Sequence, residues 1–275
     1  MSLLSLAVWI TLGCTTTSRP APPAPGTAWD HPLVGPLLWV PGGTFAMGSP
    51  MDEEGRLADE GPVHPVTLRG TWVMRAEASQ ALYELVTSEN PSGWNPCPSC
   101  PVDRVSWFGA VAFANGLSDI EGLDPAYDID GVNVTRNREA DGYRLLTEAE
   151  WEHAARGGQT FRHAGSDDAG AVGWVQRNSG GAPHPSCDKP PNSYGLCDMT
   201  GNHREWVWDR HGPYDEAAQV DPTGHPTNTW RVLRGGSWNS PDAEARVAYR
   251  FPQVPTYRSM SVSFRLARPT DDRRP

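Results

Sequence analysis

Lysine is nearly missing from this sequence: one lysine, Lys189, stands among 23 basic residues in 275, and the formal net charge is −10. A nucleic-acid partner is excluded on this ground, because neutralising phosphates requires a basic surface. The sequence also shows no internal repeat. Among its eight histidines, no two have the i, i+4 spacing with which a helix presents two zinc ligands in a protease.

Long apolar runs are scarce as well. The run from Leu3 to Leu12 covers about ten residues, which is too short to cross a bilayer as a helix. It resembles the apolar part of a secretory signal, and Gly13-Cys14 follows it directly. This arrangement predicts a lipoprotein signal over residues 1–14, with Cys14 as the lipidated residue. No basic residue precedes the run, and leucine stands two residues before the cysteine instead of three. Ordinary secretion and a cytoplasmic chain with a wrongly assigned start are therefore the alternatives.

Proline, glycine and tryptophan, in contrast, are abundant, with 27, 28 and 12 copies. Many turns around large aromatic anchors predict an irregular fold with limited helix and strand. Residues 15–36 are rich in proline and alanine, as in Pro20–Pro25, and this composition predicts an extended tether. Residues 37–270 are assigned to one folded domain, and residues 271–275 to a charged tail.

Three helices are predicted from apolar spacing and capping residues. The first covers about Glu77–Ser88 with Ser79 as its N-cap, and the second covers Ser106–Ser118. The third opens with the capping box Thr147-Glu-Ala-Glu150 and ends at Ala155, before a pair of glycines. Strands are predicted at Leu38–Met47, as a pair broken by Pro-Gly-Gly, at Val63–Leu68 and at Glu205–Asp209.

Four cysteines follow Cys14, namely Cys97, Cys100, Cys187 and Cys197. An even number outside the cytoplasm favours disulfides, and three pairings are possible. Proximity along the chain favours Cys97–Cys100 and Cys187–Cys197. The Cys-x-x-Cys spacing of the first pair also occurs in redox-active and zinc-binding sites. Since neither a second such pair nor a thioredoxin-like β-α-β pattern accompanies it, a structural disulfide is favoured.

The most informative stretch is Pro190–Asp209, where glycines and asparagines that adopt positive φ easily are interspersed with carboxylates and aromatic residues. Its segments Tyr194–Met199, Gly201-Asn202 and Glu205-Trp206 resemble the signature of the formylglycine-generating enzyme, or sulfatase-modifying factor, superfamily. Further segments match the family in the same order, and they are Val40–Gly48, Asp59–His64, Tyr143–Gly157 and Val232–Trp238. The resemblance spans roughly residues 38–268.

This resemblance implies an α+β domain with the irregular, loop-rich sulfatase-modifying-factor fold, related to the C-type lectin fold. It also implies a structural Ca²⁺ site in the signature loop. The ligands would be the side chains of Asp198 and Glu205 and the backbone carbonyls of Gly201 and His203. Such oxygens are the ligands that Ca²⁺ prefers. The alternative is an ordinary turn whose carboxylates accept hydrogen bonds from backbone amides.

The family's copper site is not matched. Its oxidases bind copper through two cysteines that follow a Gly-Gly-Ser-aromatic motif, and by register these positions hold Ser240 and Ala245. Neither residue provides the thiolate that Cu(I) prefers. Ser237 matches an active-site serine of the family, whereas Arg204 stands where the enzymes have an active-site tryptophan. A copper-dependent oxidase is therefore not expected. Iron is a weaker alternative, because no facial triad is recognisable.

Four arginines, Arg234, Arg246, Arg250 and Arg265, lie in or near the family's closing motifs. They are interpreted either as buried partners of Glu148, Glu150 or Glu205 or as a pocket for an anion. The predicted function is a non-oxidase binding or accessory module in the bacterial cell envelope, attached to the membrane through Cys14 and acting on a protein or glycan partner. The alternative is an oxidoreductase that uses non-haem iron or the Cys97/Cys100 pair.

Overall fold

A computed structural model describes residues 22–269. The predicted signal and lipidation site at Cys14, residues 15–21 of the predicted tether and the tail at 271–275 lie outside the described residues. Within them the chain forms short strands and a few helices joined by long loops, as the predicted α+β, loop-rich class requires. No helix of residues 22–269 combines the length and the apolarity needed to cross a membrane.

The strands form three sheets and one hairpin. In chain order they are β1 (Ala28–His31), β2 (Gly35–Val40), β3 (Gly43–Met47), β4 (His64–Leu68), β5 (Thr71–Met74), β6 (Tyr127–Asp130), β7 (Asn133–Arg136), β8 (Arg144–Leu145), β9 (Arg204–Arg210), β10 (Gln219–Val220), β11 (Arg231–Arg234), β12 (Phe251–Gln253), β13 (Val262–Phe264) and β14 (Leu266–Arg268). The sheet orders are β1-β2-β5-β14-β8, β12-β11-β9-β13 and β10-β4-β3, and β6 pairs with β7.

The three predicted helices are present, and a short fourth accompanies them. They are α1 (Gln80–Thr87), α2 (Trp107–Ile120), α3 (Glu148–Arg156) and α4 (Ala169–Val172). The Ser79 hydroxyl accepts a hydrogen bond from the third residue of α1. The capping box of α3 is complete, because the Thr147 hydroxyl accepts from the Glu150 N–H while the Glu150 carboxylate accepts from the Thr147 N–H. Local side chains therefore fix where these helices begin.

Two predictions on the N-terminal part need correction. The predicted strand pair at Leu38–Met47 exists as β2 and β3, but the two strands lie in different sheets. Its Pro-Gly-Gly segment passes close to another turn: a Cβ on Gly42 would stand 2.7 Å from the Gly70 nitrogen. The segment therefore carries the chain from one sheet to the next and does not close a hairpin. Secondly, β1 lies within the predicted tether and pairs with β2, so the folded domain begins before residue 37.

Large aromatic side chains hold the core together. Trp107, Trp151 and Trp206 are fully buried. The indole of Trp107 donates to the Val207 carbonyl, and the indole of Trp206 donates to the Val105 carbonyl, each at 3.0 Å. This exchange joins the start of α2 to β9, because each buried N–H finds its acceptor in the other element. Tryptophan side chains thus supply buried apolar area and specific hydrogen bonds in a fold whose helices and strands are short.

Both disulfides have the connectivity that proximity predicted, Cys97–Cys100 and Cys187–Cys197. The first closes a small loop whose carbonyls serve α1: the Pro98 and Cys100 carbonyls accept from the Ala81 and Gln80 N–H groups. These N–H groups lack partners within the helix. The Cys97–Cys100 disulfide is therefore a structural part of the α1 N-terminus, in agreement with the favoured interpretation.

Candidate functional site

The signature loop, residues 190–203, leads into β9 and is fixed to neighbouring elements. The Asn192 side-chain amide donates to the Ala154 and Ala155 carbonyls near the end of α3, at 2.7 and 3.0 Å. Gly201 has a φ of +76°, and a Cβ there would stand 2.2 Å from the Trp174 carbonyl oxygen. Only glycine fits such a close approach of two backbones. The loop is therefore an ordered part of the fold.

Asp198 and Glu205, the two predicted carboxylate ligands, are both buried but differ in their partners. Asp198 accepts one hydrogen bond through Oδ2 from the Cys187 N–H, at 2.7 Å, while its buried Oδ1 has no hydrogen-bond partner. Glu205 is engaged on both oxygens, because the Arg265 guanidinium donates to Oε1 and Oε2 at 2.6 and 2.7 Å. The Trp151 indole adds a third donor at 2.9 Å. Of the two, Asp198 retains capacity for another ligand.

A third carboxylate, Glu77, joins this buried group. Its side chain is 3% exposed, and neither carboxylate oxygen has a hydrogen-bond partner. Burial first, and then the charges of Asp198 and Glu205, raise the pKa of Glu77 well above its ordinary value. Burial likewise raises the pKa of Asp198 to about 6, and Glu205 adds to the effect. Sequence reasoning missed Glu77, since nothing in its local sequence indicates proximity to a loop so distant along the chain.

The net charge of this buried cluster indicates whether it could hold a cation. Glu77, Asp198 and Glu205 face one guanidinium, that of Arg265, so full ionisation leaves a net charge of −2 in a buried region. Buried charge requires a partner, and either two protons or one divalent cation supplies it. The free oxygens of Glu77 and Asp198 suit Ca²⁺, whereas those of Glu205 are committed to Arg265.

Side-chain ligands alone do not complete a metal site. Residues 22–269 contain no group of three or more histidine, cysteine or acidic side chains arranged to hold a metal ion. A Ca²⁺ ion near Asp198 would therefore need backbone carbonyls, for which Gly201 and His203 are the predicted sources. The His203 ring is 1% exposed, and burial lowers its pKa to about 3, so the ring is neutral at physiological pH.

Ser240, at one of the family's two copper positions, belongs to a polar network. The Ser240 hydroxyl accepts from the Ser237 N–H at 3.0 Å and lies 2.9 Å from the Ser237 hydroxyl. The Arg204 guanidinium donates to the Ser237 hydroxyl at 3.0 Å and forms an ion pair with Glu244. Ala245 is fully buried and contributes a methyl group. Hydroxyl, methyl and guanidinium groups do not fit Cu(I), which prefers soft thiolates.

The four arginines near the C-terminus are all at most 2% exposed and paired with carboxylates. The pairs are Arg234 with Glu152, Arg246 with Glu53 and Glu60, Arg250 with Glu148, and Arg265 with Glu205. Two of these partners were anticipated, whereas Glu150 pairs with Arg144 instead. The structure thus favours buried pairing over an anion pocket, because each guanidinium already has a carboxylate partner.

Comparison with known proteins agrees with this architecture. Residues 30–270 match the model of the sulfatase-modifying factor enzyme 1-like domain. Chaperone protein LppX of Paenibacillus barcinonensis is 33% identical over 219 residues, covering 67% of this chain and 75% of that protein. The formylglycine-generating enzyme of Streptomyces coelicolor is 32% identical over 278 residues, covering 84% of this chain and 88% of the enzyme.

Solved structures show the same similarity in three dimensions. Treponema denticola variable protein 1 has a TM-score of 0.80 and 29% identity, covering 85% of this chain and 95% of that chain. PvdO from Pseudomonas aeruginosa has a TM-score of 0.71 and 26% identity, covering 90% of this chain and 99% of that chain.

Proposed function

The chain belongs to the family of the sulfatase-modifying factor enzyme 1-like domain, and we propose that it is a non-oxidase binding or accessory module that acts outside the cytoplasm. The observation that carries this proposal is that Ser240 and Ala245 stand at the two copper positions, with Ser240 bonded into a network of Arg204, Ser237 and Glu244. The Arg204 guanidinium and the two serine hydroxyls are held by hydrogen bonds within it, and none of its members is a soft ligand. The family's scaffold is present, whereas the cysteine ligands of its copper oxidases are not.

The proposed location is the cell envelope, with the chain held at a membrane by lipid on Cys14. Two disulfides support an extracytoplasmic location, because oxidising compartments are where such bonds persist. The similarity to Chaperone protein LppX supports an accessory role, since that protein's name describes assistance to another protein. The proposed partner is a protein or a glycan of the envelope.

A structural Ca²⁺ ion is part of the proposal. It would lie at Asp198 and Glu77, whose free carboxylate oxygens face a buried, net negative cluster. Backbone carbonyls of the signature loop would complete the coordination. The ion would stabilise the loop between the Cys187–Cys197 disulfide and β9 and would take no part in a reaction.

An oxidase assay tests the central point. The protein is supplied with Cu(I), oxygen and a peptide containing Cys-x-Pro-x-Arg, and aldehyde formation is followed by mass spectrometry. The Streptomyces coelicolor enzyme serves as the positive control under the same conditions. We expect the control to convert the peptide and this protein to leave it unchanged and to bind no stoichiometric copper. Aldehyde formation by this protein would overturn the proposal.

A second measurement tests the binding role. Solubilised envelopes are passed over the immobilised protein, and retained proteins and polysaccharides are eluted and identified. A defined partner that binds again after purification, with a measurable dissociation constant, supports the module. If purified candidates of both classes fail to bind, the proposed binding function is wrong, whatever the result of the oxidase assay.

A further inference from the structure

An exposed aromatic surface lies directly beside the copper-site network. Trp94 is 42% exposed and Met260 39% exposed, and Trp238 follows Ser237 in the chain. The Trp94 and Trp238 rings meet edge to face, with centroids 6.3 Å apart. The Trp238 indole donates to the Met260 carbonyl at 3.1 Å, so the three residues form one continuous patch.

Arg104 completes the patch. A Cβ placed on Gly93 would stand 2.8 Å from the Met260 sulfur and 3.0 Å from the Arg104 guanidinium carbon. These two side chains therefore converge over Gly93, next to Trp94. We call the surface formed by Trp94, Arg104, Trp238 and Met260 the aromatic face.

The aromatic face is held in place from several sides. The Gln80 side chain donates to the Trp94 carbonyl at 2.9 Å, and the Gly93 N–H donates to the Asp103 carboxylate at 2.9 Å. The Trp238 N–H donates to the Asn202 carbonyl at 2.8 Å. Anchored backbones on both sides keep the two indoles in position before a ligand arrives, which lowers the entropy cost of binding.

Positive charge distinguishes the aromatic face within an acidic protein. The Arg104 side chain is 49% exposed, and its nearest carboxylate, that of the buried Asp103, is 4.0 Å away. Arg258, two residues before Met260, is also exposed. Arg104 has a φ of +59°, a conformation that costs a non-glycine residue free energy and is found preferentially at functional sites. A cationic side chain is thus held beside two tryptophans on a chain of net charge −10.

We propose that the aromatic face binds an anionic carbohydrate chain, an assignment that rests on the proposed binding function and names its ligand class. An indole plane packs on the apolar C–H face of a sugar ring, and the arginine fork pairs with a carboxylate on the same sugar. A peptide ligand would instead need pockets for its side chains. A cavity of about 360 Å³ lies beside the Trp94 segment, where Gln80 and Asn95 line it, but neither Trp238 nor Met260 lines that cavity.

The test uses three soluble probes that separate sugar from charge. They are an oligogalacturonate, its carboxyl-reduced neutral counterpart and poly-glutamate, and binding is followed by calorimetry and tryptophan fluorescence. We expect the oligogalacturonate to bind at least tenfold more tightly than the neutral oligosaccharide, and poly-glutamate not to bind. Stronger or equal binding of poly-glutamate would overturn the assignment in favour of an acidic peptide.

Matched variants locate the binding. Trp238→Ala removes one stacking surface and is expected to weaken oligogalacturonate binding at least tenfold. Trp230→Ala is the control, because Trp230 is 48% exposed and precedes the opposite end of β11. Arg104→Gly suits the positive φ and removes the charge, so it should abolish the preference for the charged over the neutral oligosaccharide. Unchanged affinities for Trp238→Ala and Arg104→Gly would refute the aromatic face as the site.

Failure of this assignment is distinguishable from failure of the proposed function. If no carbohydrate binds while Trp238→Ala abolishes the binding of a purified envelope protein, the ligand class is wrong and the binding module stands. If neither class binds the wild-type protein, both proposals fall. Thermal unfolding of each variant shows whether a loss of binding comes with a loss of folding.

Discussion

Calcium and protons should compete to neutralise the same buried carboxylates, which makes stability depend on both. Burial, reinforced by the charge of Glu205, raises the pKa of Asp198 from the ordinary 3.8 to about 6. At 1.36 kcal/mol per pKa unit, this rise corresponds to about 3 kcal/mol of folding free energy. Glu77 acts in the same direction, since its pKa is also raised.

The sign of the pH effect follows from which state holds the proton. Between pH 4 and 6 the folded protein keeps the Asp198 proton while the unfolded chain has released it, so stability falls as the pH rises. Above pH 6 the whole contribution, about 3 kcal/mol, has been lost in the absence of a cation. Other titrating groups also change the total, so the comparison must be made against a variant at the same pH.

Asp198→Asn is the suitable variant, because asparagine tolerates the φ of +55° and its carbonyl oxygen can accept from the Cys187 N–H. In a chelating buffer we expect it to gain about 3 kcal/mol over the wild type between pH 4 and pH 7, measured by urea unfolding. Asp52→Asn, which changes an exposed carboxylate that does not act on Asp198, is the control and should show no such gain.

Calcium should largely cancel this difference by stabilising the wild type. At one hundred times the dissociation constant, a ligand of the folded state adds about 2.7 kcal/mol, which raises the thermal midpoint of a domain of this size by about 5–10 °C. Asp198→Asn and Glu77→Gln should lose this response. A full calcium response in both variants, or a wild-type protein more stable than Asp198→Asn at pH 7 in chelator, would refute the reasoning.

Three further predictions concern other buried contacts. Arg265→Ala leaves the buried Glu205 without its guanidinium and should cost about 3–5 kcal/mol in urea unfolding; a loss below 1 kcal/mol would contradict the pairing. Burial and the charge of Glu148 raise the pKa of Asp209 to about 8. The stability of the wild type therefore falls as the pH rises towards 8. Asp209→Asn should be more stable than the wild type at pH 9 but not at pH 4. Joint replacement of Cys97 and Cys100 by serine loosens the loop that supports α1 and the Trp94 segment. We expect it to cost about 2 kcal/mol in urea unfolding and to lower oligogalacturonate affinity several-fold in calorimetry; unchanged affinity would contradict this role.

Local signals explain what the sequence could predict. The helix starts at Ser79, Ser106 and Thr147 are set by side chains within three residues of the capped N–H groups, so they are visible in a short window. The disulfide partners are three and ten residues apart, and proximity found them. The fold class followed from motifs that keep their order along the chain.

Non-local contacts explain what the sequence could not predict. Glu77 meets Asp198 because the segment between β5 and α1 lies against the signature loop, where the Cys197 N–H donates to the Arg75 carbonyl, and no periodicity records that contact. Strands β2 and β3 lie in different sheets because the Pro-Gly-Gly segment between them crosses the Leu68–Gly70 turn. The loop carrying Trp94 is brought to Trp238 by contacts with Gln80 and Asp103, which lie in other elements.

The scaffold survives without the oxidase site because the two depend on different residues. The buried pairs of Arg234, Arg250 and Arg265 join α3, β9 and the C-terminal strands, and none includes Ser240 or Ala245. Breaking one of these pairs would leave an unpaired buried charge, which is costly. Exchanging an exposed residue such as Asn239 costs little by comparison. The copper positions and the aromatic face can therefore change chemistry while the fold keeps its structure, which is what the proposed binding module requires.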